Sequence, residues 1–425
     1  MSYGDRKKII ESLEEKRKSK VITLITSDRY ATIPAPGISA QIAADQVYKI
    51  IQHLKKISGD TTLPKIDLFI YSRGGDVNSA WPLVNNIRSY SKEFSVLIPL
   101  YALSSATLIS LGANHIVMNK TASLSPIDPT VANAFNPRDN INQSLGISVE
   151  DVSSFFALAK DKESVGINSE DSTTEVFKIL AEKVHPLALG NVKRSHTQIR
   201  LLARKLLSLT IQEELGNKRI DSIIDELTEG FYTHNHFIFR EEAKKIGLDG
   251  IVVDSSDEEE NLLWELYNDY EKEMQLKEFF DPNMFLGTDS EKVLETSPVL
   301  IESSYFSSAL KFSQNLKRAM IPDPAFRLQA MMQFENNRVM INNFKENLLK
   351  FRAGVNQFHA QIAQALQQIP TSPLNSSLNN IMNSCNSVDN NINHLINSPT
   401  DLRMDELKKQ IEFELKSLAW VDIEA

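Results

Sequence analysis

The chain has 425 residues, 42% of them hydrophobic and 24% charged, so it is long enough for two or three domains with a sizeable core. A net charge of −9 argues against a whole-chain grip on phosphate backbone, and no nucleic-acid partner is expected. The single cysteine, Cys385, excludes an intrachain disulfide and points to a reducing, cytoplasmic setting.

The charged stretch Glu11–Lys20 follows the N-terminus directly, without an apolar h-region, so no signal peptide is expected. Apolar stretches such as Ser95–Leu103 fall far short of the ~20 residues that cross a bilayer. No transmembrane segment is expected, and peripheral membrane contact stays open.

Asp5–Lys18 reads as a charged, exposed helix, and Val21–Thr26 as a buried strand rich in β-branched residues. Ser27–Ser39, with Pro34, Pro36 and Gly37, reads as a loop. Ile42, Val47, Ile50, Ile51 and Leu54 recur at helical spacing and predict an amphipathic helix over Ala40–Ile57. Ile66–Tyr71 is a second buried strand, which runs into Gly74-Gly75 before a helix over Asn78–Tyr90. Phe94–Pro99 and His115–Met118 read as further strands, separated by a helix that begins at Ser105. This alternation predicts a layered α/β fold with mainly parallel strands.

From Ser148 to about Gly230 the periodicity is helical, with helices expected over Val149–Ala159, Ser172–Val184, Ser195–Leu209 and Arg219–Leu227. Phe239–Ile246 reads as a short helix and Ile251–Val253 as a closing strand. The acidic run Ser255–Glu260 marks the expected boundary between a domain of residues 1–254 and a mostly helical C-terminal region of residues 255–425. Within the latter, Glu291–Phe306 is a mixed apolar segment, Arg327–Ile369 reads as long helix, and Pro370–Ser398 is an Asn- and Ser-rich linker or helix hairpin.

Two stretches carry the candidate chemistry. The first is Ser72-Arg73-Gly74-Gly75-Asp76, at the end of a strand. Paired glycines let the backbone turn so that N–H groups face a ligand, although a plain strand-to-helix turn uses them too. The pair is neither a dinucleotide fingerprint nor a Walker loop. The second is Ser104-Ser105-Ala106-Thr107-Leu108, at a strand-to-helix junction. A hydroxyl there caps the helix, or projects as a nucleophile while the following N–H serves an oxyanion.

Together with Leu111-Gly112-Ala113 and Ser125-Pro126-Ile127-Asp128-Pro129, these motifs resemble the serine dehydrogenase proteinase family, related to signal peptide peptidase A within the Clp protease/crotonase superfamily. His185–Asn191 and Arg240-Glu241-Glu242-Ala243 with Gly247-Leu248 resemble later motifs of that family, and the resemblance spans Val21–Asp254. It implies a Clp/crotonase-like layered fold, a serine peptidase without cofactor, a peptide or protein substrate, and a homo-oligomer. Ser104 matches the nucleophile, with Ser105 and Ala106 as the two small residues after it, and Ser105 is the rival. Alanine stands at 106 where the family usually has glycine. The oxyanion hole would be drawn from Gly74 or Gly75 and the Ser105 N–H, where one donor is worth ~3 kcal/mol of barrier lowering.

The base is less evident. The segment after the nucleophile helix carries no histidine, so Lys193 is the candidate by analogy with the signal peptide peptidase branch, provided burial depresses its pKa. His185 is the rival, set against a place at a helix end before Pro186. His234 and His236 have i, i+2 spacing but no further ligand nearby, so no metal is expected and a structural turn explains them. Three functions follow: a serine endopeptidase, a non-catalytic assembly or interaction scaffold, and a crotonase-like acyl-CoA enzyme.

Overall fold

The computed structural model describes residues 2–27, 40–59, 61–128, 130–131, 135–137, 146–160, 170–211, 213–231, 233, 235–278, 280–322, 346–347, 349–367, 375–397 and 407–424. All of the loop expected over Ser27–Ser39 but Ser27, and the first part of the helix expected over Arg327–Ile369, lie outside the described residues.

Helix α1 (Tyr3–Arg17) leads into β1 (Lys20–Thr26), and the chain then alternates through α2 (Ala44–Ser58), β2 (Leu63–Tyr71), α3 (Ala80–Tyr90), β3 (Ser91–Ile98), α4 (Ser105–Leu111) and β4 (His115–Met118). Short strands follow: β5 (Ser123–Leu124), β6 (Thr130–Val131) and β7 (Ile147–Ser148). Four helices come next, α5 (Val149–Lys160), α6 (Glu170–Lys183), α7 (Pro186–Leu207) and α8 (Glu213–Asp225). Then come β8 (Ile238–Phe239), α9 (Arg240–Ala243), β9 (Val252–Asp254), α10 (Asp257–Met274), α11 (Pro282–Leu286), β10 (Glu291–Ser303) and β11 (Phe306–Pro322). Helix α12 (349–367), α13 (Asn375–Asn397) and β12 (Leu407–Glu424) complete the order.

Eight strands make one sheet in the order β12-β11-β10-β1-β2-β3-β4-β9. From β1 to β9 every neighbouring pair is parallel, whereas β10 runs antiparallel to β1 and β11 antiparallel to β10. The layered, mainly parallel fold expected from the strand–helix alternation is therefore present. Consecutive parallel strands need crossover helices of one hand, which puts the helices on one face when the order is sequential. Accordingly α2, α3 and α4 share one core with α7 and α8.

The strands are buried on both faces, and their alternation sorts side chains between two cores. In β2, Ile66, Leu68 and Ile70 face the core of the crossover helices, while Phe69 and Tyr71 face the opposite one. That second core is covered by α1 and α10. Helix α1 is thus not the exposed element its charges predict: Ile9, Ile10 and Leu13 pack against Leu263, Leu266, Tyr267 and Tyr270. The acidic run at 257–260 is the first turn of α10, capped by Ser256, whose Oγ accepts the Glu259 N–H at 3.3 Å. Carboxylates are stabilised there by the positive end of the helix dipole.

After Asp254 the chain returns to the sheet. The chain divides into two compact units, one of residues 1–139, 143–318 and 411–425 and the other of 140–142 and 319–410. Residues 291–318 and 411–425, which sequence reasoning assigned to the helical C-terminal region, contribute strand to the first unit. The six consecutive buried residues that end β10 are a signature of a two-faced strand, and five of them pair with β1. The second unit contains helices α12 and α13, joined by an ion pair between Arg352 and Asp389.

Between β10 and α1 lies a buried polar cluster. Arg6 donates two hydrogen bonds of 2.8 Å to the Glu302 carboxylate, which also accepts from Tyr270 at 2.7 Å and Ser307 at 2.8 Å. Burial, and then the Glu302 charge, push the Tyr270 phenol well above its usual pKa. On the opposite face His53 of α2 is fully enclosed, with Nδ1 2.9 Å from Ser303 Oγ and its ring stacked on Phe306. Burial pushes its pKa down to about 3.

Candidate active site

The site forms where β2 and β3 end, which is where ligands bind in open parallel sheets. Beyond the formal strands the chain stays tied by short bridges, Ser72 to Ala102 and Tyr101 to Ser123. Ser72 N–H donates to Tyr101 O and Leu103 N–H returns to Ser72 O, both at 3.0 Å. The diglycine turn, the approach to α4 and the start of β5 are thus fixed to one another.

The turn at Gly74-Gly75 requires glycine. Both residues have positive φ, +108° and +149°. A Cβ on Gly75 would lie 2.3 Å from Ile42 O, and one on Gly74 would lie 2.7 Å from Ser104 Cβ. The same construction at Gly74 lies 3.2 Å from Ser104 Oγ, so the turn and the serine are in direct apposition. Gly74 N–H is already used: it donates to Ser72 Oγ at 3.0 Å, and Ser72 Oγ also receives the Thr26 hydroxyl at 2.8 Å. Gly75 N–H donates to no described residue, and Ser105 N–H, at the first position of α4, has no preceding turn to bond.

Ser104 is not an ordinary helix cap. Its backbone sits at φ 52°, ψ −115°, and its side chain makes no capping hydrogen bond. A non-glycine residue in that region costs ~1–3 kcal/mol and persists only where surroundings impose it. Here the imposing contacts are the Leu103–Ser72 backbone bond and the Ser125 hydroxyl, which accepts the Ser104 N–H at 2.7 Å. Ser125 is in turn held by Thr107, whose Oγ1 accepts the Ser125 N–H at 3.0 Å. A sharp strand-to-helix turn of this kind presents a serine Oγ clear of its own helix.

Ser105, the rival nucleophile, is fully buried, and its hydroxyl has no partner among the described residues. It points into the core rather than to the partly exposed space that Ser104 reaches. Lys193 lies exposed on α7, with none of the burial that a lysine base requires. His185 is exposed too. It does not end a helix before Pro186; it starts α7, where its Nδ1 accepts the Leu187 N–H at 3.2 Å and its ring stacks on Phe135. No hydrogen bond joins Lys193 or His185 to Ser104.

A cavity of about 340 Å3 is lined by Arg73, Leu103, Ser125, Asn235, His236 and Phe237. Leu103 precedes Ser104, Ser125 holds its N–H, and Arg73 precedes the diglycine. His236 donates from Nε2 to the Glu242 carboxylate, with distances of 3.0 and 3.1 Å to its two oxygens. His234, its companion at i, i+2, lies outside the described residues. Among the described residues no group of three or more His, Cys, Asp or Glu could hold a metal ion, and no helix is long and apolar enough to cross a membrane. Sequence reasoning assigned no part to Ser72 or Ser125. Both stand inside motifs it singled out, but Ser125 accepts the Ser104 N–H and Ser72 Oγ the Thr26 hydroxyl, bonds to residues distant along the chain that spacing does not encode.

Comparison with known proteins agrees with the motifs. Residues 2–150 match the family described as ClpP-like SDH-type serine proteinase. Two uncharacterized proteins of Methanocaldococcus jannaschii are similar: MJ0137, 29% identical over 62% of this chain and 78% of its own length, and MJ1495, 23% identical over 57% and 70%. Among solved structures, ClpP1 from Listeria monocytogenes matches with 13% identity and a TM-score of 0.30, covering 58% of this chain and 97% of that one. A point mutant of it matches with 11% identity and a TM-score of 0.29, covering 58% and 98%.

Proposed function

From the premise that residues 2–150 carry a ClpP-like SDH-type serine proteinase sequence, we propose that this protein is a serine endopeptidase of the signal peptide peptidase A-like type. Ser104 is its nucleophile, and the N–H groups of Gly75 and Ser105 receive the oxyanion. The observation that carries the reading is the strained Ser104 backbone, φ 52° and ψ −115°, apposed to the diglycine turn. A purely structural serine would relax into a cap; this one makes no capping hydrogen bond.

The hydrogen bonds support a division of labour at the diglycine. Gly74 N–H is occupied by Ser72, so its contribution is close approach, and Gly75 is the donor. Attack by Ser104 Oγ on a peptide carbonyl moves negative charge onto its oxygen, where the two N–H dipoles stabilise it without reorganising. Peptide or unfolded protein is the substrate class, a reducing cytoplasmic compartment is the setting, and self-association of the chain is part of the reading. The scaffold alternative predicts an inert Ser104, and the acyl-CoA alternative predicts turnover of thioesters.

The test is labelling with a fluorophosphonate probe together with cleavage of an unfolded, dye-labelled protein. Both are expected in the full chain and both are expected to vanish in Ser104→Ala. Absence of labelling in a folded wild-type protein, or full labelling of Ser104→Ala, overturns the proposal.

A further inference from the structure

The serine peptidase reading leaves its proton acceptor unassigned, and the cavity lined by Leu103 and Ser125 supplies one. We propose that His236 is the general base for Ser104, and that Glu242 is its positioning residue. The inference rests on the Ser104 assignment and deepens it.

His236 is held from several sides. Strand β8, two residues on, pairs antiparallel with β5 through Leu124–Ile238 and Ser123–Phe239. β5 immediately precedes Ser125, the residue that fixes the Ser104 N–H. Phe237 stacks on Tyr101 with ring centroids 5.4 Å apart, and Tyr101 lies on the segment that leads to Ser104. The His236 ring itself lies on Phe231, 4.5 Å between centroids and 15° between planes. Two elements far apart in sequence, the loop before β8 and the turn before α4, therefore line one cavity.

The tautomer follows from the partner. Nε2 faces the Glu242 carboxylate, which accepts only, so Nε2 carries the hydrogen and the lone pair is on Nδ1. Nδ1 bonds to no described residue. Proton abstraction needs an imidazole oriented by a carboxylate through one nitrogen, with the other left available beside the nucleophile, and His236 has that division in the cavity it shares with Leu103 and Ser125. Lys193 and His185 lack it: the first is exposed, and the second has its Nδ1 lone pair committed to the start of α7.

The steps balance without another reactant. Ser104 Oγ bonds to the carbonyl carbon as its proton passes to His236 Nδ1 and the C=O electron pair moves onto oxygen. The oxygen re-forms its double bond, the C–N bond breaks, and the imidazolium returns the proton to the leaving amine. Water then attacks the ester carbon, giving its proton to Nδ1. The Oγ–C bond breaks, Ser104 recovers the proton, and a carboxylic acid leaves. Glu242 keeps the ring oriented and stabilises the imidazolium without itself being protonated.

The experiment measures fluorophosphonate labelling rate and peptide cleavage against pH in the full chain. His236→Gln is expected to lower both by about 10²–10⁴-fold. His236→Ala is expected to regain part of its labelling rate on adding free imidazole, which a merely structural histidine would not allow. Glu242→Gln is expected to lower kcat for peptide cleavage with KM unchanged, and Glu242→Asp to restore part of it, a split that a merely structural carboxylate would not give. Labelling of His236→Gln at the wild-type rate, with Ser104→Ala unlabelled, overturns the base assignment and leaves the nucleophile standing. Loss of labelling in Lys193→Met but not in His236→Gln overturns it in favour of the lysine. A wild-type chain that does not label removes the peptidase reading and this inference with it.

Discussion

The strand ends around Ser104 and the Glu302 cluster on β10 treat polar groups in opposite ways. At the ends of β2 and β3, Ser72, Gly74 and Ser125 are bonded so as to leave Ser104 Oγ and Gly75 N–H without a partner among the described residues. Along β10 and β11, Glu302, Ser303 and Ser308 are fully buried and hydrogen-bonded, to Arg6, Tyr270, Ser307 and His53. Unspent hydrogen-bonding capacity at the strand ends is what chemistry requires, whereas a charged group left unpaired in the Glu302 cluster would cost stability. Buried charge within the sheet is paired wherever it occurs, as Glu302 with Arg6 on β10 and Asp67 with Arg17 on β2.

The contrast breaks most sharply under substitution. Ser104→Ala is expected to lower cleavage of an unfolded protein by about a thousandfold or more. Its urea midpoint should match that of the wild type, since the Ser104 side chain makes no capping hydrogen bond and alanine keeps the same backbone conformation. Arg6→Ala should do the reverse. It leaves the Glu302 carboxylate buried and uncompensated, costing ~3–5 kcal/mol in denaturant unfolding. Fluorophosphonate labelling of the folded fraction should be unchanged. If Arg6→Ala instead slowed labelling at full folding, the two regions would not be separable.

Gly74→Ala tests the close approach itself. Its Cβ meets Ser104 Cβ at 2.7 Å and its φ is +108°, so the serine must move. A displacement of about 1 Å lowers cleavage roughly 100-fold, read as a fall in kcat at the same assay temperature. His53 sharpens the stability side. Its folded pKa is depressed to about 3 from 6.5, with Asp422 and Lys49 as the charged groups facing it. The folded state then binds fewer protons than the unfolded one, so stability is fully present above pH 6.5 and is lost as pH falls toward 3. The expected slope approaches ~1.4 kcal/mol per pH unit, and His53→Gln should flatten it in urea titrations at several pH values. The smallest effect is expected from Ser256→Ala, which removes the α10 cap for ~1 kcal/mol. A thermal melt should show it, with peptidase activity intact.

Much of this arrangement was legible along the chain. β-branched runs and 3.6-residue periodicity placed β1 to β4 and the helices between them, because parallel strands buried on both faces are written as continuous apolar segments. Gly74-Gly75 and Ser104 stood out because a sharp turn restricts residue type so strongly. Less legible were the elements whose meaning depends on a distant partner. The charges of α1 suggested exposure, yet Arg6 is buried because Glu302, almost three hundred residues on, receives it. Glu291–Phe306 carried apolar residues but no sign that it would join β1 antiparallel. The acidic run at 257–260 looked like a boundary and is the first turn of a helix.

The sequence by itself determined the alternation of elements, the glycine turn and the serine that faces it, since local sterics and hydrophobic period act within a few residues. Only the tertiary structure decided which backbone N–H stays free, which serine reaches solvent and which histidine meets the cavity. Those outcomes depend on hydrogen bonds between segments far apart in the chain, such as Ser104 to Ser125 and His236 near the β5–β8 pair. No single segment encodes both ends of such a bond.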